Sequence, residues 1–243
     1  MKAMILAAGK GTRMNSLTET APKPMLLVAG KPVLAHIIEW LWRHGIHQVA
    51  INLHYHPEVI REYFDDGSRW GVEIIYSEEP ELLGTAGGVK KMEAFFGDPF
   101  LVVYGDVLTD LDLGALLDFH QFHCGSPHAT LTLDKREDSA QCGVAEIDRN
   151  GRIQDFIEKP PPGGSRSPWV NSGIMILDRT LLETIPAGRF CDFGRDVFPG
   201  WLRSGLALYG WKMPEGSYLI DMGTPDKLAQ ANHDWALRNA CSK

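Results

Sequence analysis

Along the chain, short apolar runs alternate with segments in which apolar residues recur every three to four positions. Met4 to Leu6 read as a buried strand, and Pro32 to His44 as a helix with Val33, Leu34, Ile37, Ile38 and Leu41 on one face. Pro32 stands in the first turn of that helix and Gly45 just past its end, where each residue type is favoured. His47 to Leu53 read as the next strand. A helix at Pro57 to Phe64, a strand at Val72 to Tyr76, a helix from Thr85 to Phe96 and a strand at Phe100 to Tyr104 follow. Such alternation predicts right-handed βαβ units on a mostly parallel sheet.

Beyond Asp112 the pattern loosens. One helix reaches His123, and strands are predicted near Ala129 to Asp134, Val144 to Ile147, Arg152 to Ile157 and Gly173 to Leu177. Strands now outnumber helices, so a second half with mixed strand directions is expected to extend the sheet. Helices near Phe193 to Arg203 and Pro225 to Leu237 follow it. Pro160 to Ser165 is the one loop-like low-complexity stretch, and there is no internal repeat or long linker.

Composition fits this picture. A chain of 243 residues, 44% of them hydrophobic, can bury a full core as one α/β domain, with two tightly joined lobes as the other option. The net charge of −7 argues against nonspecific binding to nucleic acid or membrane, which rests on surplus Lys and Arg. An acidic protein with a polyanionic ligand then needs local cations or a metal. The apolar run Ala3 to Ala8 is stopped by Lys10 and Arg13, too soon for a signal core or a membrane span, so a cytoplasmic protein is expected. Cys124, Cys142, Cys191 and Cys241 are scattered and read as reduced thiols. His54 with His56, and His120 with His123, lack the companions a metal site needs.

The chemistry-bearing residues start at Leu6-Ala7-Ala8-Gly9-Lys10-Gly11-Thr12-Arg13-Met14, with Pro22-Lys23-Pro24 downstream. Gly9 and Gly11 permit left-handed backbone, so N–H groups of the loop can close around anionic oxygens, while Arg13 and Lys23 add charge. Neither a Walker loop nor the dinucleotide fingerprint fits, the latter because Met14 replaces its third Gly. Carboxylates directly after apolar strands lie at the ligand edge of an open α/β sheet, which singles out Asp106 and Asp221. Gly84-Thr85-Ala86-Gly87-Gly88 opens a helix with residues small enough for a flat base to approach the backbone. Asp110 and Asp112 form a D-x-D, placed to cap the helix that starts at Leu113.

These motifs, in this order, resemble the sugar-1-phosphate nucleotidylyltransferases, and the resemblance spans Leu6 to Pro225. It implies a Rossmann-like three-layer α/β fold with a mostly parallel mixed central sheet. It also implies a nucleotide-binding half (residues 1–112) and a sugar-phosphate-binding half (residues 113–243). Gly105-Asp106 and Asp221-x-Gly-Thr-Pro resemble the carboxylates that share one catalytic Mg2+. Leu6, Ala7, Ala8, Gly9, Gly11, Thr12, Arg13 and Lys23 would bind nucleotide together with Gly84, Thr85 and Gly87. Glu158-Lys159-Pro160 and Asn171-Ser172-Gly173 resemble sugar-phosphate segments, with Glu158 and Asn171 on hydroxyls and Lys159 on phosphate. Gly143 matches a sugar-contacting glycine, although the family often has Tyr where Cys142 stands.

The implied reaction is attack by a sugar-1-phosphate oxygen on the α-phosphorus of a nucleoside triphosphate, with Arg13, Lys23 and Asp106 catalytic. Guanine presents two adjacent donors that suit a carboxylate, and Glu78, Glu79 and Glu81 precede the Gly-rich segment, which tilts the reading toward GTP. The chain looks most like bacterial mannose-1-phosphate guanylyltransferases in a short form without a hexapeptide-repeat segment, with a homodimer as one expected assembly. Uridylyl or thymidylyl transfer to glucose or N-acetylmuramate 1-phosphate, and guanylyl transfer to heptose 1-phosphate, stay open. So do two other classes, a metal-dependent glycosyltransferase using Asp110 and Asp112 and a non-catalytic nucleotide-sugar sensor.

Overall fold

The computed structural model describes residues 1–241 apart from 124, 138, 162 and 166, with backbone alone at 12, 15, 16 and 239–241. The chain divides into two compact units. One comprises Met4–Glu81, Tyr104–Leu111 and Ser217–Lys243, and the other Met1–Ala3, Leu82–Val103 and Asp112–Gly216. The first contains the N-terminal glycine loop and is called here the loop unit.

In the loop unit the strands Ala3–Leu6, Gln48–Leu53 and Glu73–Glu78 lie in that order, the last two parallel with Gln48 opposite Glu73 and Leu53 opposite Glu78. The crossover helix Val33–Arg43 buries the predicted face, Val33, Leu34, Ile37, Ile38 and Leu41. Its end follows from Gly45, which takes φ +74°. Ile46 N–H returns to Leu41 and Gly45 N–H to Trp42, and this pair of bonds satisfies carbonyls that the helix leaves open. Helix Pro57–Phe64 matches its predicted span. A two-residue turn, Ala29 and Gly30, both at positive φ, joins the short strands Leu27–Val28 and Lys31–Pro32. Strand Leu219–Asp221 pairs antiparallel with Val107–Thr109, setting Asp221 opposite Val107.

The second unit has mixed strand directions, as expected. Strand Trp169–Leu177 runs antiparallel to Phe100–Tyr104 and to His128–Lys135, while Gly143–Ile147 and Ile153–Glu158 form an antiparallel pair. Ala207–Lys212 pairs parallel with His128–Lys135. The architecture is Rossmann-like α/β with a mixed central sheet.

Two predicted helices are broken. The segment from Thr85 forms an α-helix over Gly84–Lys91 and then a separate 3-10 turn, Glu93–Phe95, because Met92 N–H bonds back to Val89 and Phe96 is extended. The segment from Phe193 begins as a π-turn, Phe193–Val197, and becomes α-helical over Phe198–Arg203. Pro199 has no N–H for the carbonyl four residues back. The preceding turn widens, and Phe198 N–H reaches Phe193 instead. No helix among the described residues is long and apolar enough to cross a membrane.

Candidate active site

The loop unit gathers most of the predicted polyanion-handling residues. Strand Ala3–Leu6 leads into buried Ala7 and Ala8, and then into exposed Gly9. Gly11 is the glycine that takes left-handed backbone, at φ +62°, and a Cβ there would meet Lys23 Cβ at 3.0 Å. Gly9 is not among the residues with positive φ, so its role is openness: nothing lies within 4 Å of where its Cβ would be. Thr12 opens the 3-10 segment Thr12–Thr18, and its side chain lies outside the described residues.

Asp106 follows strand Phe100–Tyr104 after Gly105, a position that admits no side chain because a Cβ would lie 2.8 Å from the Leu6 carbonyl oxygen. Lys23, almost wholly buried, is ion-paired to the Asp106 carboxylate. The N–H of Met222 donates to the Asp106 carbonyl at 2.8 Å, which together with the Asp221–Val107 register brings the two carboxylate-bearing chain segments side by side. Asp221 accepts from Gly223 N–H at 3.1 Å and from Lys227 Nζ at 2.5 Å. Arg13 is exposed, and both terminal guanidinium nitrogens lie 3.8 Å from the Cβ position of Gly223. Lys23 and Lys227 thus each hold one of the two carboxylates, and Arg13 lies beside the Gly223 backbone that follows Asp221. Two carboxylates, each already holding a cation, are a hard-oxygen donor set suited to Mg2+.

Asp110 and Asp112 are engaged elsewhere. Asp110 accepts from Tyr218 N–H at 2.7 Å and pairs with Arg238, and Asp112 caps helix Leu113–Phe122 through Gly114 N–H at 2.8 Å. The carboxylates that favoured guanine are also occupied: Glu78 pairs with Arg61 at 2.7 Å, and buried Glu79 accepts from Asn52 at 2.8 Å. Of the three, Glu81 alone carries no such partner among the described residues.

In the second unit the Gly-rich helix start has a different reason for its small residues. Ala86 and Gly87 N–H groups both donate to the Cys191 carbonyl at 3.0 Å, and Thr85 Oγ1 donates to Asp192 while accepting from Phe193 N–H. A Cβ on Gly87 would lie 2.8 Å from the Arg189 carbonyl oxygen, and one on Gly84 2.5 Å from that of Cys191. The space expected for a base plane is filled on the Cβ side by the segment Arg189–Cys191, so the glycines serve chain packing there.

Of the sugar-phosphate candidates, Gly143, Glu158 and Lys159 come together. Gly143 stands opposite Glu158 in the paired strands, and a Cβ at Gly143 or Gly194 would come within 2.7 or 2.5 Å of the Glu158 carboxylate. Burial pushes the Glu158 carboxyl above its usual range, with Asp192 adding to the shift and Lys159 and Arg195 opposing it. Lys159 takes a left-handed φ of +50°, its N–H bonded to Cys142 O at 3.0 Å and its Nζ 3.8 Å from Glu158. Asn171 sits where the pairing of Trp169–Leu177 with His128–Lys135 shifts register, its Oδ1 accepting from Gly173 N–H at 3.2 Å.

The histidine pairs divide differently from their spacing. His54 bonds the Glu79 carbonyl and His56 sits beside Glu58, while His120 meets His128 and Asp178 instead of His123. Cys142 and Cys191 are free thiols. Cys124 and the Cys241 side chain lie outside the described residues.

A family model described as nucleotidyl transferase matches residues 2–237. The chain belongs to the nucleotidyl transferase family. It is 40% identical over 225 residues to a UTP–glucose-1-phosphate uridylyltransferase of Synechocystis, covering 88% of this chain and 58% of that protein. It is 37% identical over 236 residues to a mannose-1-phosphate guanylyltransferase of Mycobacterium tuberculosis, covering 96% and 64%. The chain thus spans about three-fifths of the length of these curated relatives. Among solved structures, HddC of Yersinia pseudotuberculosis in complex with GMP-PN superposes with a TM-score of 0.80 at 25% identity, covering 96% of this chain and 99% of that one.

Two residues of this family member escaped the motif reading. Lys227 lies in the first turn of helix Pro225–Cys241, where a lone Lys carries no signal of its own. Asn52 could have been found, since a polar amide within Val49-Ala50-Ile51-Asn52-Leu53 needs a partner once buried.

Proposed function

We propose that the chain transfers a nucleotidyl group from a nucleoside triphosphate to a sugar 1-phosphate, releasing pyrophosphate, with GTP and mannose 1-phosphate as the preferred pair. The observation that carries this reading is the loop-unit cluster of Lys23 on Asp106 and Lys227 on Asp221 beside Arg13. A sugar phosphate is already an anion near neutral pH, so the reaction needs no general base. Its obstacle is bringing two polyanions together, which makes positioning and charge neutralisation the main catalytic terms.

Within that reading Arg13 grips triphosphate oxygens with its planar fork and Lys23 acts as a point charge. Lys159 binds the attacking phosphate, while Glu158 and Asn171 bind sugar hydroxyls beside Gly143. Leu6, Ala7, Ala8, Gly9, Gly11 and Thr12 bind the nucleotide. Asp106 and Asp221 would hold Mg2+, which when bound screens the α-phosphate charge and stabilises the leaving pyrophosphate. The guanylyltransferase relative and the GMP-PN complex of HddC support GTP. The uridylyltransferase relative supports UTP with glucose 1-phosphate as the second reading. The same reading places the protein in the cytoplasm, acting without nucleic acid or membrane, with a homodimer as the assembly to test.

A pyrophosphate-release screen crossing GTP, UTP, dTTP and ATP with mannose, glucose, heptose and N-acetylmuramate 1-phosphates tests it, with and without EDTA. GTP-dependent release with mannose 1-phosphate supports the preferred pair, and release confined to UTP with glucose 1-phosphate replaces it. No release with any pair overturns the reading.

A further inference from the structure

Asn52 lies 2% exposed near the carboxyl end of strand Gln48–Leu53, and both ends of its amide are committed. Its Oδ1 accepts from the Ala7 N–H at 2.7 Å, and its Nδ2 donates to Glu79 Oε1 at 2.8 Å. The partners fix the amide's orientation, because an N–H can only donate and a carboxylate can only accept. Glu79 is itself held, 2% exposed, with its N–H on the Leu53 carbonyl at 2.8 Å and its carbonyl receiving His54 Nδ1 at 2.7 Å.

Ala7 is where strand Ala3–Leu6 gives way to the glycine loop, and it is 1% exposed, so its N–H has no access to bulk water. Downstream, among the described residues, the loop has few anchors. Gly9 is exposed with nothing near its Cβ position, and the next anchors are the Met14 N–H and Thr18 hydroxyl on the Gly11 carbonyl. The direction in which the N–H groups of residues 8–11 point is therefore set largely at Ala7. Pre-aimed donors stabilise charge developing in a transition state, and loosely held ones lose that advantage.

We propose that Asn52, braced by Glu79, is a positioning residue for nucleotidyl transfer: it fixes the Ala7 amide and through it the anion-binding path of residues 7–11. The proposal rests on the triphosphate reading given above. The residue type follows from the chemistry, since Asp would set a second carboxylate against Glu79 and Leu would leave both the Ala7 N–H and the Glu79 carboxylate without this partner in a buried place.

The test compares wild type with Asn52→Leu, Asn52→Asp, Glu79→Ala and Glu79→Gln in the full chain. Three measurements are made: amide hydrogen exchange over residues 7–11, calorimetric binding of GTP, and the Michaelis constants of both substrates. Asn52→Leu is expected to speed exchange in residues 7–11 while helix Val33–Arg43 keeps its protection. It should weaken GTP binding roughly ten-fold and lower turnover by up to about 10²-fold. The Michaelis constant for sugar phosphate should move far less. Glu79→Gln retains an oxygen for Asn52 and should lose less than Glu79→Ala.

A merely structural role would lower the melting temperature and the active fraction without separating the two Michaelis constants, and that result overturns the proposal. Unchanged exchange at residues 7–11 in Asn52→Leu also overturns it, whatever the substrate. If wild type itself binds no nucleoside triphosphate, the underlying reading has failed, and the failure is recognisable because it appears without any substitution.

Discussion

The backbone N–H of Met222 bonds the carbonyl oxygen of Asp106 at 2.8 Å, and with the Asp221–Val107 pairing it joins the two segments whose carboxylates are paired with Lys23 and Lys227. If these carboxylates share a metal, Asp106→Asn and Asp221→Asn should each cost at least about two orders of magnitude in turnover, roughly 3 kcal/mol of transition-state stabilisation. Asp221→Asn, whose partner Lys227 is part-exposed, should leave the melting temperature near wild type, whereas Asp106→Asn leaves almost wholly buried Lys23 without its charge partner and should lower it. Wild-type rates in excess EDTA contradict the metal assignment.

Arg13 is exposed on its loop, so its side chain contributes little to packing. Arg13→Ala is expected to keep a near-native melting temperature and to lose most turnover. An unfolded variant, or one with full activity, removes Arg13 from the role of triphosphate clamp.

Gly87→Val should act on folding before it acts on ligand. The added Cβ would meet the Arg189 carbonyl at 2.8 Å, and overpacking against a backbone atom costs about 1–3 kcal/mol. Urea denaturation should show a lowered midpoint. A stable variant with weakened nucleotide binding would restore the idea that a base occupies this space.

Stability should depend on pH through His128 and Asp178. Burial pulls the His128 ring down, but its hydrogen bonds to Asp178 and to the Ser126 carbonyl, with the Asp178 charge, outweigh that and raise it above 6.5. Burial pushes Asp178 up, yet hydrogen bonds from His120 and His128 hold it well below its ordinary 3.8. The Asp178 contribution is present above pH 3.8 and is lost as pH falls through the folded value. The His128 contribution is complete below pH 6.5 and is lost as pH rises through the folded value. Denaturation curves from pH 3 to pH 9 should therefore peak between these limits, and Asp178→Asn should flatten the profile. An unchanged profile in that variant contradicts the pairing.

How far the sequence could be read depended on whether the cause was local. Helix Val33–Arg43 was legible because its apolar face, its Pro and the Gly45 stop all lie within a few residues. Asp106 was legible because a carboxylate ending an apolar strand needs no distant partner to reveal it. Gly84 and Gly87 read as space for a ligand because the segment that fills the space, Arg189–Cys191, lies far along the chain. Strand Ala207–Lys212 went unpredicted for a related reason. Gly210 looks like a break, yet the strand pairs straight through it opposite Leu131, and a Cβ there would press on the Leu133 side chain.

The most direct test of the central claim follows the oxygen atoms. With sugar 1-phosphate carrying 18O in its non-bridging phosphate positions and unlabelled GTP, attack on the α-phosphorus forms the new P–O–P bond from a labelled oxygen. 31P NMR should then show the label at the bridge and on the sugar-side phosphate of the nucleoside diphosphate sugar, with unlabelled pyrophosphate. Label in pyrophosphate, or release of nucleoside monophosphate without any nucleoside diphosphate sugar, would contradict the account.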